Sequence, residues 1–265
     1  MPPLDLDLVP DLRRCVDARA LQLHYQPEID LASGAVVGME ALVRWQHRER
    51  GLLWPAEFLP VAAVSGLLET IEAWVLEQAV REVGYWVSPA SSRQIWVNIS
   101  ASRLTGRGFV QTVADLVRKH ALAPGVLGLE ITEEALAGGG REIVSLLRDL
   151  RGAGVALAVD DVGTWYSSMA SLGDLPIDAV KLDRRFVRGL GGEFDHDSIV
   201  GSVIELAHAR GLYVVAEGVE SWTEGARLCE LGCDRAHGYL FSAPQRAEKA
   251  RVMLAHGSGW RLRTP

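Results

Sequence analysis

The sequence predicts an α/β protein whose fold is a modified TIM (β/α)8 barrel with an antiparallel first strand. Apolar, β-rich runs alternate with runs of helical period along the whole 265 residues, a pattern typical of βα units around a parallel sheet. No Gly/Ser/Pro-rich linker divides the chain, and barrels of this type occupy roughly 250 residues as one unit. The connection EIDLASGA (28–35) is as short as a hairpin, so the first two strands are expected to be antiparallel.

Eight apolar runs are the strand candidates. In chain order they are LQLHYQ (21–26), VVGMEALVRW (36–45), QIWVNIS (94–100), VLGLEIT (126–132), VALAVDD (155–161), AVKLD (179–183), LYVVAEGV (212–219) and HGYLF (237–241). Each is rich in β-branched or other apolar residues and is short enough for one buried strand.

Helical periodicity marks the segments between these runs. Apolar residues recur at helical spacing over 68–84 and 143–150, which predicts helices that pack on the sheet. Ser221 with Glu224 three residues later forms a capping-box pattern, and Gly232 is expected to end that helix. We expect a lead-in helix over 1–20, the barrel over 21–258, and a C-terminal tail over 259–265.

Composition limits the classes of partner. The formal net charge is −7 and no basic cluster is present, which excludes a nucleic-acid polymer as a partner. Three cysteines, an odd number, favour a reducing compartment, so the expected location is the cytoplasm. The N-terminus lacks the pattern of a signal peptide, and no run approaches the roughly 18 apolar residues of a membrane span.

Polar residues end many of the predicted strands. In a barrel of this type the active site lies at the carboxyl rim of the strands, so these residues are the site candidates. They are Glu40, Asn98, Ser100, Glu130, Glu133, Asp160, Asp161, Lys181, Asp183, Glu217 and Glu220. So many carboxylates on one rim need counter-charges, and among these residues only Lys181 supplies one.

Divalent metal ions are expected to supply the positive charge that Lys181 alone cannot provide to these carboxylates. Oxygen ligands suit Mg²⁺ or Mn²⁺, whereas zinc favours His and Cys, and the chain has no HExxH or paired CxxC pattern. Adjacent aspartates, Asp160 and Asp161, suit a bridge between two ions about 4 Å apart. Two ions beside a lysine indicate phosphoryl transfer to water.

Seven strings, in order, resemble the motifs of the EAL domain, a family of phosphodiesterases that cleave the bacterial second messenger cyclic di-GMP. They are YQP (25–27), GMEALVRW (38–45), NIS (98–100), LEITE (129–133), DDVGTWYSS (160–168), KLD (181–183) and AEGVE (216–220). The resemblance runs from about Leu21 to Pro244. It implies a barrel with an antiparallel first strand, a homodimer, and hydrolysis of cyclic di-GMP to linear pGpG.

The resemblance also implies roles by position. For the first metal it implies the ligands Glu40, Asn98, Glu130 and Asp160. For the second it implies Asp160, Asp161 and Glu217, as ligands of the ion or of its waters. Lys181, with Glu217 and Asp161, is implied in catalysis, the lysine positioning or activating the attacking water. The implied substrate contacts are Gln26, Leu42, Arg44 and His237, with Arg44 on a phosphate. Glu133, Asp183, Glu220 and Trp165 are implied in supporting or loop positions.

The sequence departs from the family pattern near the site. The loop that usually reads DDFGTGYSSL reads DDVGTWYSSM here, which introduces Val162, Trp165 and Met169. Trp165 replaces a glycine, and a bulky residue there can slow catalysis or reshape a dimer contact. His237 stands where the family usually has glutamine. All the metal ligands and the lysine are retained.

Two other functions stay open. One is a catalytically weak or inactive EAL domain that acts as a cyclic di-GMP receptor. The other is a lysine-dependent barrel enzyme in which Lys181 forms a Schiff base or abstracts a proton. EAL domains usually follow sensory or cyclase domains, so this chain is expected to be either a stand-alone protein or part of a larger signalling protein.

Overall fold

The computed structural model describes residues 4–86, 93–136, 140–162, 175–192, 196–256 and 260. Its strands are β1 (Gln22–Asp30), β2 (Val36–His47), β3 (Gly51–Leu53), β4 (Gln94–Ile99), β5 (Leu127–Thr132), β6 (Ala156–Val162), β7 (Ala179–Leu182), β8 (Tyr213–Ala216), β9 (Arg235–Ala236) and β10 (Gln245–Arg246). Its helices are α1 (Val9–Asp17), α2 (Pro55–Val64), α3 (Leu68–Trp86), α4 (Ala101–Leu104), α5 (Phe109–Lys119), α6 (Glu133–Leu136), α7 (Gly140–Gly152), α8 (Arg184–Val187), α9 (His196–His208), α10 (Trp222–Glu230) and α11 (Ala247–His256).

Eight of these strands close into a mixed barrel. The pairs from β2 through β4, β5, β6, β7 and β8 to β9 are parallel. Strand β1 closes the barrel by pairing with both β2 and β9, in each case antiparallel. The predicted barrel with an antiparallel first strand is therefore confirmed. Two short strands lie outside the closed ring: β3 pairs with β2 and β10 pairs with β1.

The prediction of a strand at HGYLF (237–241) is wrong. The strand in this part of the chain is the two-residue β9, and the chain then turns, with the amide groups of Phe241 and Ser242 both donating to Gly238 O at 3.1 Å. The run is apolar because Phe241 is buried against the ring of Trp260, with 5.8 Å between ring centroids. Burial, rather than strand pairing, explains its composition.

The helices predicted from periodicity are present. Helix α3 covers the predicted segment 68–84, and α7 extends beyond the predicted 143–150 at both ends. The capping box is formed: Ser221 Oγ accepts from the Glu224 amide at 3.2 Å, and Glu224 Oε2 accepts from the Ser221 amide at 2.9 Å. Gly232 follows α10 with φ +81°, the left-handed conformation expected after a helix.

Small residues inside the barrel make room for one large side chain. Trp96 of β4 is 1% exposed and packs with Ala156, Ala158 and Ala179 of β6 and β7. Gly128 of β5 lies opposite Trp96 in the parallel register, and a Cβ on Gly128 would overlap the indole ring. The ring therefore fills the middle of the barrel because its neighbours are small.

A polar layer closes the barrel at the amino ends of the parallel strands. Arg235 Nη1 donates to Glu28 Oε1 and to Gln94 Oε1, each at 2.7 Å. The guanidinium lies 4.0 Å from the centroid of the Tyr213 ring, whose hydroxyl donates to Gln94 at 3.3 Å. Together, this layer and Trp96 fill the barrel interior below the rim formed by the carboxyl ends of the parallel strands.

We predict that Gly128→Ala destabilises the protein by about 1–3 kcal/mol, because the added methyl group overlaps the buried Trp96 ring. Thermal unfolding checks this, with an expected loss of a few °C for each kcal/mol in a chain of this size. Gly152→Ala is the matched control: its Cβ meets nothing within 4 Å in helix α7, so its melting temperature should equal or exceed that of wild type. Equal melting of Gly128→Ala and wild type would refute this packing.

Candidate active site

The carboxyl ends of the parallel strands bring the predicted polar residues together at one rim. Asn98 lies opposite Glu130 in the pairing of β4 with β5, and Asp160 lies opposite Thr132 in the pairing of β5 with β6. Lys181 is the penultimate residue of β7, before Leu182. We call the five carboxylates at this rim, four of which interact with Lys181, the acidic cluster. They are Glu40, Glu130, Asp160, Asp161 and Glu217.

Lys181 lies at the centre of the acidic cluster. Its Nζ atom is 2.7 Å from Glu130 Oε1, 2.7 Å from Glu217 Oε1 and 3.6 Å from Glu40 Oε2, and the residue is 2% exposed. Burial opposes the charged form, but the neighbouring carboxylates outweigh it and raise the pKa of Lys181 well above its usual value. The side chain is therefore a fixed ammonium that can donate hydrogen bonds.

A β-bulge explains how both adjacent aspartates reach one site. Successive residues of a regular strand point to opposite faces, which would separate Asp160 from Asp161. The register of β6 shifts between Val159 and Val162, and Asp161 takes a left-handed conformation with φ +57°. Oxygen atoms of Asp160, Asp161 and Glu217 consequently lie within 4.8 Å of one another.

The acidic cluster is electrostatically strained without further cations. Burial and neighbouring carboxylates raise the pKa of Asp160 to about 7 and that of Asp161 to about 6. Burial raises the pKa of Glu130 well above its usual range although Lys181 opposes the shift. Glu217 is the exception: burial would raise its pKa, but the lysine and a nearby histidine lower it overall. Five carboxylates and one lysine leave an excess of negative charge.

The donor atoms fit divalent metal ions. Two groups of three side chains could each hold an ion. Within a group, one ligand atom from each side chain lies within 4.8 Å of the other two, and both groups include Glu217. One contains Asp160 and Asp161, and the other contains Glu40 and His237. Asn98 lies beside the second group, where its Nδ2 donates to Glu40 Oε1 at 2.7 Å. Carboxylate and amide oxygens are the donors that hard cations prefer, so metal ions would supply the missing positive charge.

The remaining implied substrate contacts lie beside the acidic cluster. Gln26 of β1 lies opposite Glu40 of β2, and its Nε2 donates to Ser242 O at 3.1 Å. Leu42 lines a cavity of about 460 Å³ that adjoins the cluster. The cavity is lined by Glu40, Ala41, Leu42, Val43, Pro55, Leu59, Leu68, Ile71, Glu72, Val75, Asn98, Ile99, Ser100 and Thr132.

Arg44 is buried with unused hydrogen-bonding capacity. Its Nη1 donates to Val43 O at 2.8 Å, whereas its Nε has no hydrogen-bond partner in the described part of the chain. The guanidinium lies 4.2 Å from the centroid of the Trp54 ring, which is 42% exposed and covers it. Burial lowers the pKa of Arg44, although Tyr239 and Glu40 oppose the shift. An incoming anion would find a charged donor with capacity to bind it.

The residues implied in support occupy different surroundings. Glu133 is buried at the start of α6. Asp183 caps α8 by accepting from the Arg185 amide at 2.7 Å. Its carboxylate also raises the pKa of the neighbouring Asp161, which would donate a hydrogen bond to it when protonated. Glu220 is exposed and pairs with Arg188 at 3.2 Å rather than contacting the acidic cluster. Trp165 and Met169 lie outside the described residues, whereas Val162 is buried at the end of β6.

Sequence reasoning missed two residues at this rim. Trp54 precedes α2, where no periodic pattern draws attention to it. Glu72 accepts from the amide and the hydroxyl of Ser100 at 2.9 and 3.0 Å, which fixes the chain just after Asn98. A signal for Glu72 was available, because a charged residue four positions after Leu68 interrupts the apolar face of α3.

Comparison with known proteins decides the family. The EAL domain family matches residues 10–244. The chain belongs to the EAL domain family. It is 42% identical over 251 residues to a protein of Mycobacterium tuberculosis, covering 94% of this chain and 40% of that protein. It is 37% identical over 251 residues to the bifunctional diguanylate cyclase/cyclic di-GMP phosphodiesterase MucR of Pseudomonas aeruginosa, covering 94% of this chain and 37% of MucR.

A solved structure supports the same assignment. The phosphodiesterase part of MucR in complex with c-di-GMP matches this EAL domain with a TM-score of 0.87 and 37% identity, over 92% of this chain and 99% of that one. The chain spans well under half the length of the curated relatives named above. Among the described residues, no helix is both long and apolar enough to cross a membrane.

We predict that Mg²⁺ or Mn²⁺ raises the melting temperature of this EAL domain, because a cation bound in the acidic cluster relieves repulsion only in the folded state. The stabilisation should reach about 2.7 kcal/mol at 100 times the dissociation constant. Asp160→Asn should abolish most of the shift, yet in EDTA it should be at least as stable as wild type, since it removes one repelling charge.

Differential scanning fluorimetry with EDTA and with each metal measures both effects. Asp115→Asn is the matched control, because Asp115 is an exposed carboxylate that pairs with Arg118 on helix α5. It should retain the full metal-dependent shift. A metal-dependent shift of equal size in Asp160→Asn would show that the ions bind elsewhere.

Proposed function

We propose that this EAL domain is a metal-dependent phosphodiesterase that hydrolyses cyclic di-GMP to linear pGpG. The observation that carries the proposal is the acidic cluster around the buried ammonium of Lys181, at the rim where barrel enzymes of this type have their active sites. The names of its relatives support the choice of substrate: MucR of P. aeruginosa and PdeR of Escherichia coli are both named cyclic di-GMP phosphodiesterases.

The metal ligands that we propose follow the positions of the family motifs. Glu40, Asn98, Glu130 and Asp160 would hold one ion, and Asp160, Asp161 and Glu217 the other. When bound, two Mg²⁺ or Mn²⁺ ions would lower the pKa of the attacking water and neutralise charge on the transferred phosphoryl group. The group formed by Asp160, Asp161 and Glu217 supports the second of these sites.

Lys181 is the residue that we propose orients the attacking water. Its ammonium already has two carboxylate contacts at 2.7 Å, so it acts as a hydrogen-bond donor and a positive charge rather than as a base. Glu217 and Asp161 present carboxylate oxygens to the same region. Asp161, whose pKa burial and neighbouring carboxylates raise to about 6, would accept the proton from the water, whereas Glu217, whose pKa is lowered overall, would remain an anion that orients the water. This division of roles places the donor at the centre and the acceptors around it.

Arg44 would bind a phosphate of the substrate. The guanidinium is buried beneath Trp54, its Nε has no hydrogen-bond partner, and a phosphate offers oxygens that match its planar donors. Gln26 and Leu42, next to Glu40 on β1 and β2, would contact the rest of the nucleotide. The homodimer and the larger multidomain context remain predictions from the family.

The geometry disfavours a lysine-dependent mechanism. A Schiff-base lysine needs a depressed pKa so that the neutral amine is available as the nucleophile. The carboxylates around Lys181 have the opposite effect and hold it as the ammonium. The receptor alternative, in which the domain binds cyclic di-GMP without cleaving it, retains the same binding residues and differs only in turnover.

We predict that Asp160→Asn abolishes Mg²⁺-supported conversion of cyclic di-GMP to pGpG and that Lys181→Ala lowers turnover by at least about a hundredfold, in the range expected for a group that positions or transfers protons. Chromatographic separation of the nucleotides measures both. Lys119→Ala, at the end of helix α5, and Asp115→Asn are the surface controls and should keep full activity.

Other outcomes select the alternatives. Tight binding of cyclic di-GMP without product would make the domain a receptor. Activity on a carbonyl substrate that persists in EDTA, together with covalent attachment of that substrate to Lys181 after borohydride reduction, would establish the lysine-dependent mechanism. Unimpaired turnover in Asp160→Asn would refute its role as a shared metal ligand.

A further inference from the structure

The backbone holds His237 firmly at the acidic cluster. The His237 amide donates to Ala216 O at 2.9 Å, and His237 O accepts from the Val219 amide at 3.1 Å, so the residue is tied to the end of β8 on both sides. The next residue, Gly238, runs so close to Val219 that a Cβ would overlap the Val219 backbone. The histidine ring is therefore presented to the cluster from a fixed main chain.

The ring of His237 lies between two carboxylates from different strands. Its Nε2 is 3.1 Å from Glu217 Oε1, and its Nδ1 is 3.5 Å from Glu40 Oε2. The residue is 8% exposed, and Nδ1 has no hydrogen-bond partner within the described part of the chain. A buried ring nitrogen without a partner, beside a carboxylate, is available to a further ligand.

We propose that His237 is a nitrogen ligand of a divalent metal ion that Glu40 and Glu217 also bind. One ligand atom from each of the three side chains lies within 4.8 Å of the other two. Metal–ligand bonds of roughly 2.0–2.2 Å place neighbouring ligand atoms within such a distance. The inference rests on the metal sites of the proposed function: His237 would join the ion that Glu40 binds, and Glu217 would be shared between that ion and the one held by Asp160 and Asp161. It replaces the substrate contact expected for His237 with a role at the metal.

A histidine changes the chemistry of the donor set. Glu40, Glu130, Asp160 and Asn98 offer only oxygen, which suits Mg²⁺. Imidazole binds Mn²⁺, Co²⁺ and Zn²⁺ more readily than Mg²⁺, so one nitrogen ligand shifts the preference of the site toward these ions. The glutamine that is usual at this position in the family has an amide oxygen instead, and His237→Gln is therefore the informative substitution.

Pulsed EPR of the Mn²⁺-loaded protein tests the assignment without reference to turnover. Modulation from the ¹⁴N nucleus of an imidazole is expected in wild type, and labelling only the histidines with ¹⁵N should shift it, which separates His237 from Lys181 and Asn98. His237→Gln should lose the signal. His208→Gln is the matched control, because His208 is a surface histidine that pairs with Asp234 away from the acidic cluster.

Metal affinities provide the second measurement. In His237→Gln the affinity for Zn²⁺ and Mn²⁺ should fall at least about tenfold, because even the loss of an outer-shell partner of a metal site costs about that much. The affinity for Mg²⁺ should change far less. Titration calorimetry on wild type, His237→Gln and His208→Gln measures this difference.

The possible results separate this inference from the proposed function. No histidine coupling in Mn²⁺-loaded wild type, or coupling that persists in His237→Gln, overturns the ligand assignment even if cyclic di-GMP is hydrolysed. Histidine coupling that is lost in His237→Gln supports the assignment even if no pGpG is formed, in which case only the phosphodiesterase activity is rejected.

Discussion

Electrostatic attraction between one buried ammonium and the carboxylates around it organises the rim of this barrel. Lys181 contacts Glu130 and Glu217 at 2.7 Å and approaches Glu40, so carboxylates from three other strands or strand ends converge on its Nζ atom. Since one lysine cannot balance five carboxylates, the arrangement is stable only with raised pKa values or with added cations. The closed barrel provides the rigidity that keeps these like charges together.

The layers beneath the rim explain how the barrel maintains this arrangement. Trp96 fills the middle of the barrel against glycine and alanine, and Arg235 with Glu28 and Gln94 closes the opposite end. Both layers are tightly packed or hydrogen-bonded, so the strand ends that bear the acidic cluster have little freedom to spread. Core packing therefore contributes to function by resisting the repulsion at the rim.

Much of the fold and of the site was predictable from the sequence, because alternation of strand and helix patterns and polar residues at strand ends are local signals. The failures have non-local causes. HGYLF was predicted as a strand because burial of Phe241 against Trp260 resembles the signal of strand pairing. The bulge that aligns Asp160 with Asp161 depends on the register between β6 and β7, which no single strand encodes.

The antiparallel direction of β1 has a geometric consequence for this EAL domain. Gln22 lies opposite Arg44, so the chain enters the barrel at the rim of the acidic cluster, where a regular barrel would begin at the opposite end. Helix α1 lies on this same side, and its Asp11 is 3.1 Å from His47 at the end of β2. Mechanical strain applied to the chain before α1 would reach the rim of the acidic cluster through a single helix, without being transmitted along the length of the barrel.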